Sequence, residues 1–292
     1  MLNPLIRQRL VLTLFILIIA FPGIGQQSPK PHSAREIQKC GTMLIMEASI
    51  RNNPDIVTQW QLQGEKKYHE YLTRKLALKG ILNDTIIIPV VFHLIDQADK
   101  LAMIPDRTLY DQLEMMNEAF NGTKADMFRY VIPEEIYNLT GRIPVKFVMA
   151  RRDPLGNLTS GIERKTGSTP DYIKIKSAAE GGLNAWNTDK YLNVWAGTLP
   201  PVGGTSILGV GTFPFTNDIG PQGVVVDIKS LSYTTNTTRS YYPTYSEGVT
   251  LIHEVGHYLY LWHTFGDQTV CNNTDFRIQA GWPLAAGAGP EG

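Results

Sequence analysis

The stretch HEVGHYLYLWH, residues 253–263, sets three histidines and a glutamate within eleven positions. His253 and His257 are four apart, so on a helix both imidazoles stand on one face, one turn apart, and can share a metal ion. The flanking residues support a helix: Val249, Ile252, Val255 and Leu259 recur at helical intervals. Glu254 follows the first histidine and lies beside the metal position, free to take a proton from a water that the metal activates. Zinc is the favoured ion, because three imidazoles leave a fourth position open and zinc lowers the pKa of a bound water to about 7. The pattern therefore defines a candidate hydrolytic site. His253, His257 and His263 are its zinc ligands, and Glu254 is its general base and later the proton donor to a leaving amine.

His263 must reach this site from outside the helix. Six more helical residues after His257 would carry it about 9 Å along the axis and off the ligand face. The chain has to turn sharply near residue 260, and a left-handed turn costs glycine nothing. Tyr260 stands there instead. Holding a non-glycine residue left-handed costs about 1–2 kcal/mol, against roughly 10–16 kcal/mol for structural zinc binding. The strain is too small to abolish ligation, and Tyr260→Gly is expected to relieve it. The other histidines need no metal: His32 falls in a linker, His69 on a charged helix face, and His93 in an apolar strand as a hydrogen-bonded core residue.

Working outward, 292 residues suffice for one sizeable domain plus accessory segments. The formal net charge is zero, which argues against nucleic acid or an anionic membrane as a partner. Arg7 and Arg9, the apolar LVLTLFILIIAF (10–21) and the small residues GIG (23–25) read as a signal peptide, residues 1–25, cleaved before Gln26. A membrane anchor is the alternative, but a spanning helix needs roughly 20 apolar residues and this run is shorter. Export makes disulfides possible, yet Cys40 and Cys271 allow at most one intrachain bridge. Stability must come from a core.

QQSPKPHS (26–33) reads as a linker, and residues 34–82 as mostly helical. The segment 54–80 opens on Pro-Asp and ends on Gly80; its charge density marks a surface-lying helix. Together, residues 26–82 read as linker and pro-segment. The main domain is assigned to 83–279. IIIPVVFHLI (86–95) suits a buried strand. Residues 105–121 suit a helix with Leu109, Leu113, Met116 and Phe120 on one face and Asp106 as its cap. Strands are expected at 143–153, 191–197, 206–214 and 223–228, a helix-like piece at 176–186, and a polar loop at 229–246. Such alternation argues an α/β fold, a mixed sheet with helices packed on it. AGWPLAAGAGPEG (280–292) has no period that makes an element and is expected to be a disordered tail.

HEVGHYLYLWHTFGD (253–267) and much of what precedes it resemble the pappalysin family of metzincin zinc endopeptidases, the ulilysin-like proteins included. IPVVFHLI, QLEMMNEAFN, FVMARRDPLGNLTSGIERKTG, GGLNAWNTDKYLNVWAG and GVVVD carry the resemblance in the same order, over about residues 84–267. It implies a metzincin-like twisted sheet of about five strands, a backing helix and an active-site helix. It also implies a peptide substrate laid along an edge strand, placed here at Leu208, Gly209, Val210 and Gly211. KCGTM (39–43) resembles the family's pro-segments, which implies Cys40 as a fourth zinc ligand before activation. A Cys40–Cys271 bridge, or two free thiols, are the alternatives. The chain also departs from the pattern: no methionine follows Met149, so no Met-turn follows His263, and Cys271 has no downstream partner. An incomplete lower subdomain is the expectation. The reading is a secreted zinc metalloendopeptidase acting on protein or peptide, with zinc as cofactor and room for calcium, and with no membrane partner after signal cleavage. The other reading is a noncatalytic remnant that binds zinc or peptide.

Overall fold

The apolar run from Ile86 becomes the axis of the sheet. The computed structural model describes residues 38–77, 85–123, 126, 130–202, 204–216, 220–231 and 248–263. Among these, seven strands share one sheet. In chain order they are β1 (Gln38–Cys40), β2 (Ile86–Asp96), β3 (Val145–Met149), β4 (Ile162–Thr166), β5 (Leu192–Gly197), β6 (Ile207–Gly211) and β7 (Val224–Asp227). The helices are α1 (Thr42–Asn52), α2 (Ile56–Ala77), α3 (Ala98–Ala102), α4 (Asp106–Phe120), α5 (Glu134–Tyr137) and α6 (Val249–Tyr258). The mixed α/β class read from the sequence is the one observed. All the described residues fall within one compact unit, Glu36–Gly292.

The sheet order is β1-β6-β7-β5-β2-β3, with β4 also beside β2. At 11 residues, β2 is long enough to carry two strands in succession. Ile86–Val90 pair with β3 and Phe92–Asp96 with β4, while β5 pairs with Val90–Leu94; all three pairings are parallel. β6 runs antiparallel to β7. β1 adds in parallel to β6, with Cys40 opposite Gly209.

The central strands are covered on both faces, which is why they read as unbroken apolar runs instead of alternating ones. On one face Val90, Phe92, Leu94 and Val226 pack against Leu109, Leu113 and Met116 of α4 and against Leu251 and Val255 of α6. On the other, Ile95, Trp195 and Val225 pack with Ile175 and Leu199. Truncating a wholly buried residue such as Leu109 to alanine costs about 2–5 kcal/mol. The site helix α6 is thus fixed to the sheet by its own apolar stripe.

Several expectations change. The sheet has seven strands, not about five. β1 and β4 were missed because QKC and IERKT carry no apolar run. The expected helix at 176–186 is two 3-10 turns, Lys174–Lys176 and Ala178–Glu180, followed by irregular chain. Gly181 ends it in a left-handed conformation, and a Cβ at Gly182 would lie 2.0 Å from the Ile175 carbonyl oxygen. Asp106 does not cap α4: Pro105 is the cap position, and the Asp106 carboxylate accepts from Arg164 of β4 at 2.5 Å. α2 is not wholly surface-lying, since Ile56 and Trp60 are buried. No described helix is long and apolar enough to cross a membrane. The signal segment 1–25, the linker 26–33, Gly80, loop residues 232–246, the end of the motif after His263, Cys271 and the tail 280–292 lie outside the described residues.

Candidate metal centre and active site

Helix α6 passes so close under β6 that only glycine fits at two strand positions. A Cβ on Gly209 would lie 2.6 Å from Glu254 Cγ, and one on Gly211 2.3 Å from the Glu254 carbonyl oxygen. The Gly-Val-Gly of SILGVG therefore lets the helix bring Glu254 and His257 against the strand edge.

The helix ends in the turn that the histidine spacing demands. Tyr260 has φ 75°, the one non-glycine residue with positive φ among those described. Its N–H donates to His257 O at 2.9 Å, and the Leu261 N–H donates to Gly256 O at 2.8 Å. That pair of bonds is a Schellman motif, with tyrosine in the position usually held by glycine. The reversal carries His263 back toward the helix.

The three imidazoles then meet. His263 Nε2 lies 2.9 Å from His253 Nε2 and 3.1 Å from His257 Nε2. Cys40 Sγ lies 3.4 Å from His257 Nε2. One ligand atom from each of Cys40, His253, His257 and His263 falls within 4.8 Å of the others. The other nitrogen of His257, Nδ1, donates to Leu261 O at 2.8 Å, which leaves Nε2 as a lone pair turned into the cluster. A tetrahedral zinc with Zn–N of about 2.0–2.1 Å and Zn–S of about 2.3 Å separates neighbouring ligand atoms by roughly 3.3–3.6 Å. The ligand atoms lie close enough together to share one ion, and the N₃S donor chemistry suits zinc.

Glu254 is wholly buried. Its Oε2 accepts from Thr42 Oγ1 at 3.0 Å and lies 3.8 Å from Cys40 Sγ. Its Oε1 is buried with no hydrogen-bond partner among the described residues. Burial pushes its carboxyl up to about 7. Burial, and then the neighbouring Glu254 charge, push the Cys40 thiol up. A bound divalent cation reverses that preference, since it holds a coordinating thiol in the thiolate form.

The edge expected at Leu208–Gly211 is filled by the chain itself. The Gly41 N–H donates to Gly209 O at 2.8 Å, and Thr42 Oγ1 accepts from the Gly211 N–H at 2.9 Å. Thr42 thus links the strand edge to Glu254. Sequence reasoning weighed only the cysteine of KCGTM and missed this threonine, although it stands two residues away. Beyond the edge, Phe213, Phe215, Tyr260 and Trp262 gather with Met43, Met46, Ile56 and Trp60. A cleft of about 440 Å³ opens beside the histidines, lined by Phe120, Ile143, Ile252, His253, Gly256 and His263 among others. His93 stays apart, as expected of a core residue. Its Nδ1 lies 2.6 Å from Glu163 Oε2, its Nε2 lies 2.9 Å from Asn193 Oδ1, and its ring stacks on Trp195.

A helix that carries two of three converging histidines, set beneath strand β6 of a largely parallel sheet, is the architecture of a metzincin. Residues 179–281 match the peptidase family described as Pregnancy-associated plasma protein-A, Peptidase_M43. A promirolysin mutant from Tannerella forsythia superposes with a TM-score of 0.59 at 32% identity, over 79% of this chain and 71% of that one. Mature mirolysin from the same organism, in complex with a cleaved peptide, gives a TM-score of 0.55 at 36% identity, over 64% of this chain and 67% of that one. The chain belongs to the pappalysin family. An extracellular metalloprotease of Verticillium alfalfae is 25% identical over 190 residues, 64% of this chain. The chain spans 56% of the length of that curated relative.

Proposed function

We propose that the protein is a secreted zinc metalloendopeptidase, exported by a signal peptide at residues 1–25 and held latent by residues 26–82. The observation that carries the reading is the convergence of three imidazole Nε2 atoms near a buried carboxylate oxygen that has no hydrogen-bond partner among the described residues. His253, His257 and His263 would hold the metal. When bound, zinc supplies Lewis acidity, which lowers the pKa of a water to about 7 and polarises the scissile carbonyl.

The chain's own residues do the rest. Glu254 Oε1 is free to take a proton from the attacking water, and Glu254 then returns it to the leaving amine. The edge of β6, Leu208–Gly211, orients an extended peptide by main-chain hydrogen bonds, using the Gly209 carbonyl and the Gly211 N–H that Gly41 and Thr42 now occupy. Cys40 supplies a fourth donor to the histidines and so keeps water from the site until residues 26–82 leave. An extracellular metalloprotease and a mirolysin complexed with a cleaved peptide among the relatives support this reading.

The test is hydrolysis of a denatured protein by the zinc-loaded full chain, before and after limited proteolysis within residues 53–84. Processing should raise the rate. Glu254→Ala should lower it by about 10²–10⁴-fold with zinc content unchanged, and Cys40→Ala should give activity without processing. Parental cleavage by Glu254→Ala would reveal a contaminating protease. Zinc binding with no hydrolysis after processing would make the protein a noncatalytic zinc- or peptide-binding module.

A further inference from the structure

The aromatic group at the end of β6 has a role that the metal site does not explain. Phe213 and Phe215 follow the strand directly, and Trp262 arrives from the turn that returns His263. Phe213 stacks on Trp262 with ring centroids 4.4 Å apart and on Phe215 at 5.2 Å. Phe213 also touches the His257 ring, with centroids 5.1 Å apart. The platform is therefore continuous with the edge strand on one side and with a candidate zinc ligand on the other.

Its present cover comes from the segment that fills the edge. Residues 40–42 bond to Gly209 and Gly211, and the next residues of α1, Met43 and Met46, lie on the platform with Trp60 of α2. The Trp60 and Phe215 rings are 6.1 Å apart. Every member of this cluster is apolar or aromatic. Methionine is a flexible side chain that makes favourable contacts with aromatic rings. Removing residues 26–82 uncovers the faces of Phe213, Phe215 and Trp262 beside a strand edge that has just lost its partner. Apolar surface uncovered at a binding cleft marks a contact site.

We propose that Phe213, Phe215 and Trp262 form a subsite for a large apolar side chain of the peptide substrate, on the N-terminal side of the scissile bond. The inference rests on the protease reading above. A peptide that adds to β6 follows the path of residues 40–42 and reaches the same rings. Antiparallel addition is the better-paired orientation, and it sets residues N-terminal to the cut over the C-terminal end of β6, where Phe213 and Phe215 lie. Phe213 and Phe215 stand two and four residues beyond the end of β6, which sets the subsite at residues N-terminal to the cut. Met, Leu or Phe at one of those positions is the expected preference.

The test uses the zinc-loaded full chain, nicked by limited proteolysis within residues 53–84 so that the N-terminal fragment is no longer tethered and can leave the edge of β6. Acetohydroxamate first reports whether the metal centre is open; if it does not bind, the protease reading fails and this inference falls with it. Two acetyl-tripeptide hydroxamates, differing only in Leu or Ser at the residue farthest from the hydroxamate, are then compared by competition. Binding of the Leu probe at least ten-fold tighter is expected, and Trp262→Ala or Phe215→Ala should bring the ratio close to one while zinc content and far-UV dichroism stay parental. If a variant misfolds, the milder Phe215→Leu should still lower the ratio. Equal binding of the two probes by the parent overturns the proposal. So does failure of both probes where acetohydroxamate binds.

Discussion

His93 and His257 are both buried histidines of one domain, yet their ring nitrogens face opposite kinds of neighbour. Each nitrogen of His93 faces an oxygen acceptor: Glu163 Oε2 on one side, and on the other Asn193 Oδ1, whose amide nitrogen is turned away to donate to Trp186 O. His257 commits Nδ1 to Leu261 O and turns Nε2 toward His263 Nε2 and Cys40 Sγ. A histidine whose partners satisfy both nitrogens is finished as structure. One whose Nε2 faces another imidazole and a thiol, in a cluster of four such ligand atoms, is placed to share a cation. Burial alone does not separate the two roles; what the nitrogens face does.

The largest effect that can break this contrast is on metal content. Dialysed parent should carry about one zinc per chain, and His257→Ala should carry none; the binding at stake is of the order of 10–16 kcal/mol in structural sites. His93→Gln should keep its zinc. Loss of metal in His93→Gln but not in His257→Ala would reverse the assignment.

A smaller effect is expected on stability. His93→Leu removes two hydrogen bonds, although Asn193 Oδ1 still accepts from the Trp186 N–H at 2.7 Å, and a hydrogen bond contributes roughly 0.5–1.5 kcal/mol net. Urea unfolding should show the loss with zinc stoichiometry unchanged. A stability equal to the parent's would mean that the hydrogen bonds to His93 contribute nothing net.

The pH dependence sharpens the structural half of the comparison. The hydrogen bond from His93 holds the Glu163 carboxyl below its usual range, against the opposing effect of partial burial. A depressed carboxylate stabilises the fold above the ordinary glutamate range, and that contribution is lost as pH falls through the folded value. Glu163→Gln should therefore lower the thermal midpoint at pH 7, and the gap from the parent should close as the medium is made acidic. A gap that stays constant with pH would show that charge plays no part.

The smallest effect concerns Tyr260. Its backbone is left-handed as the histidine spacing requires, but its ring packs edge-on against Phe213 and Phe215, with centroids 6.4 and 5.5 Å away. Aromatic pairs contribute about 0.5–1.5 kcal/mol each, which offsets strain of about 1–2 kcal/mol. The expectation that Tyr260→Gly stabilises the site is therefore withdrawn. The change should be close to neutral, within about 1 kcal/mol, by chelator-challenged zinc release and thermal unfolding. Markedly slower zinc release from the glycine variant would restore the strain argument.

The sequence by itself determined the class of fold and which side chains could share a metal ion. Two histidines four apart on a helix share a face whatever surrounds them, and the buried strands β2, β5 and β7 announce themselves as apolar runs because both of their faces are covered. Only the tertiary structure decided what closes the site. Cys40 reaches His257 across 217 positions of sequence, and Thr42 reaches Glu254 across 212. No periodicity records such contacts, because they depend on β1 taking the free edge of β6. The same holds for β4, a polar strand made by its partner, and for Tyr260, whose left-handed backbone is offset by the contacts of its ring with Phe213 and Phe215. Local spacing fixes which atoms can bind a metal; long-range packing fixes which atoms keep it covered.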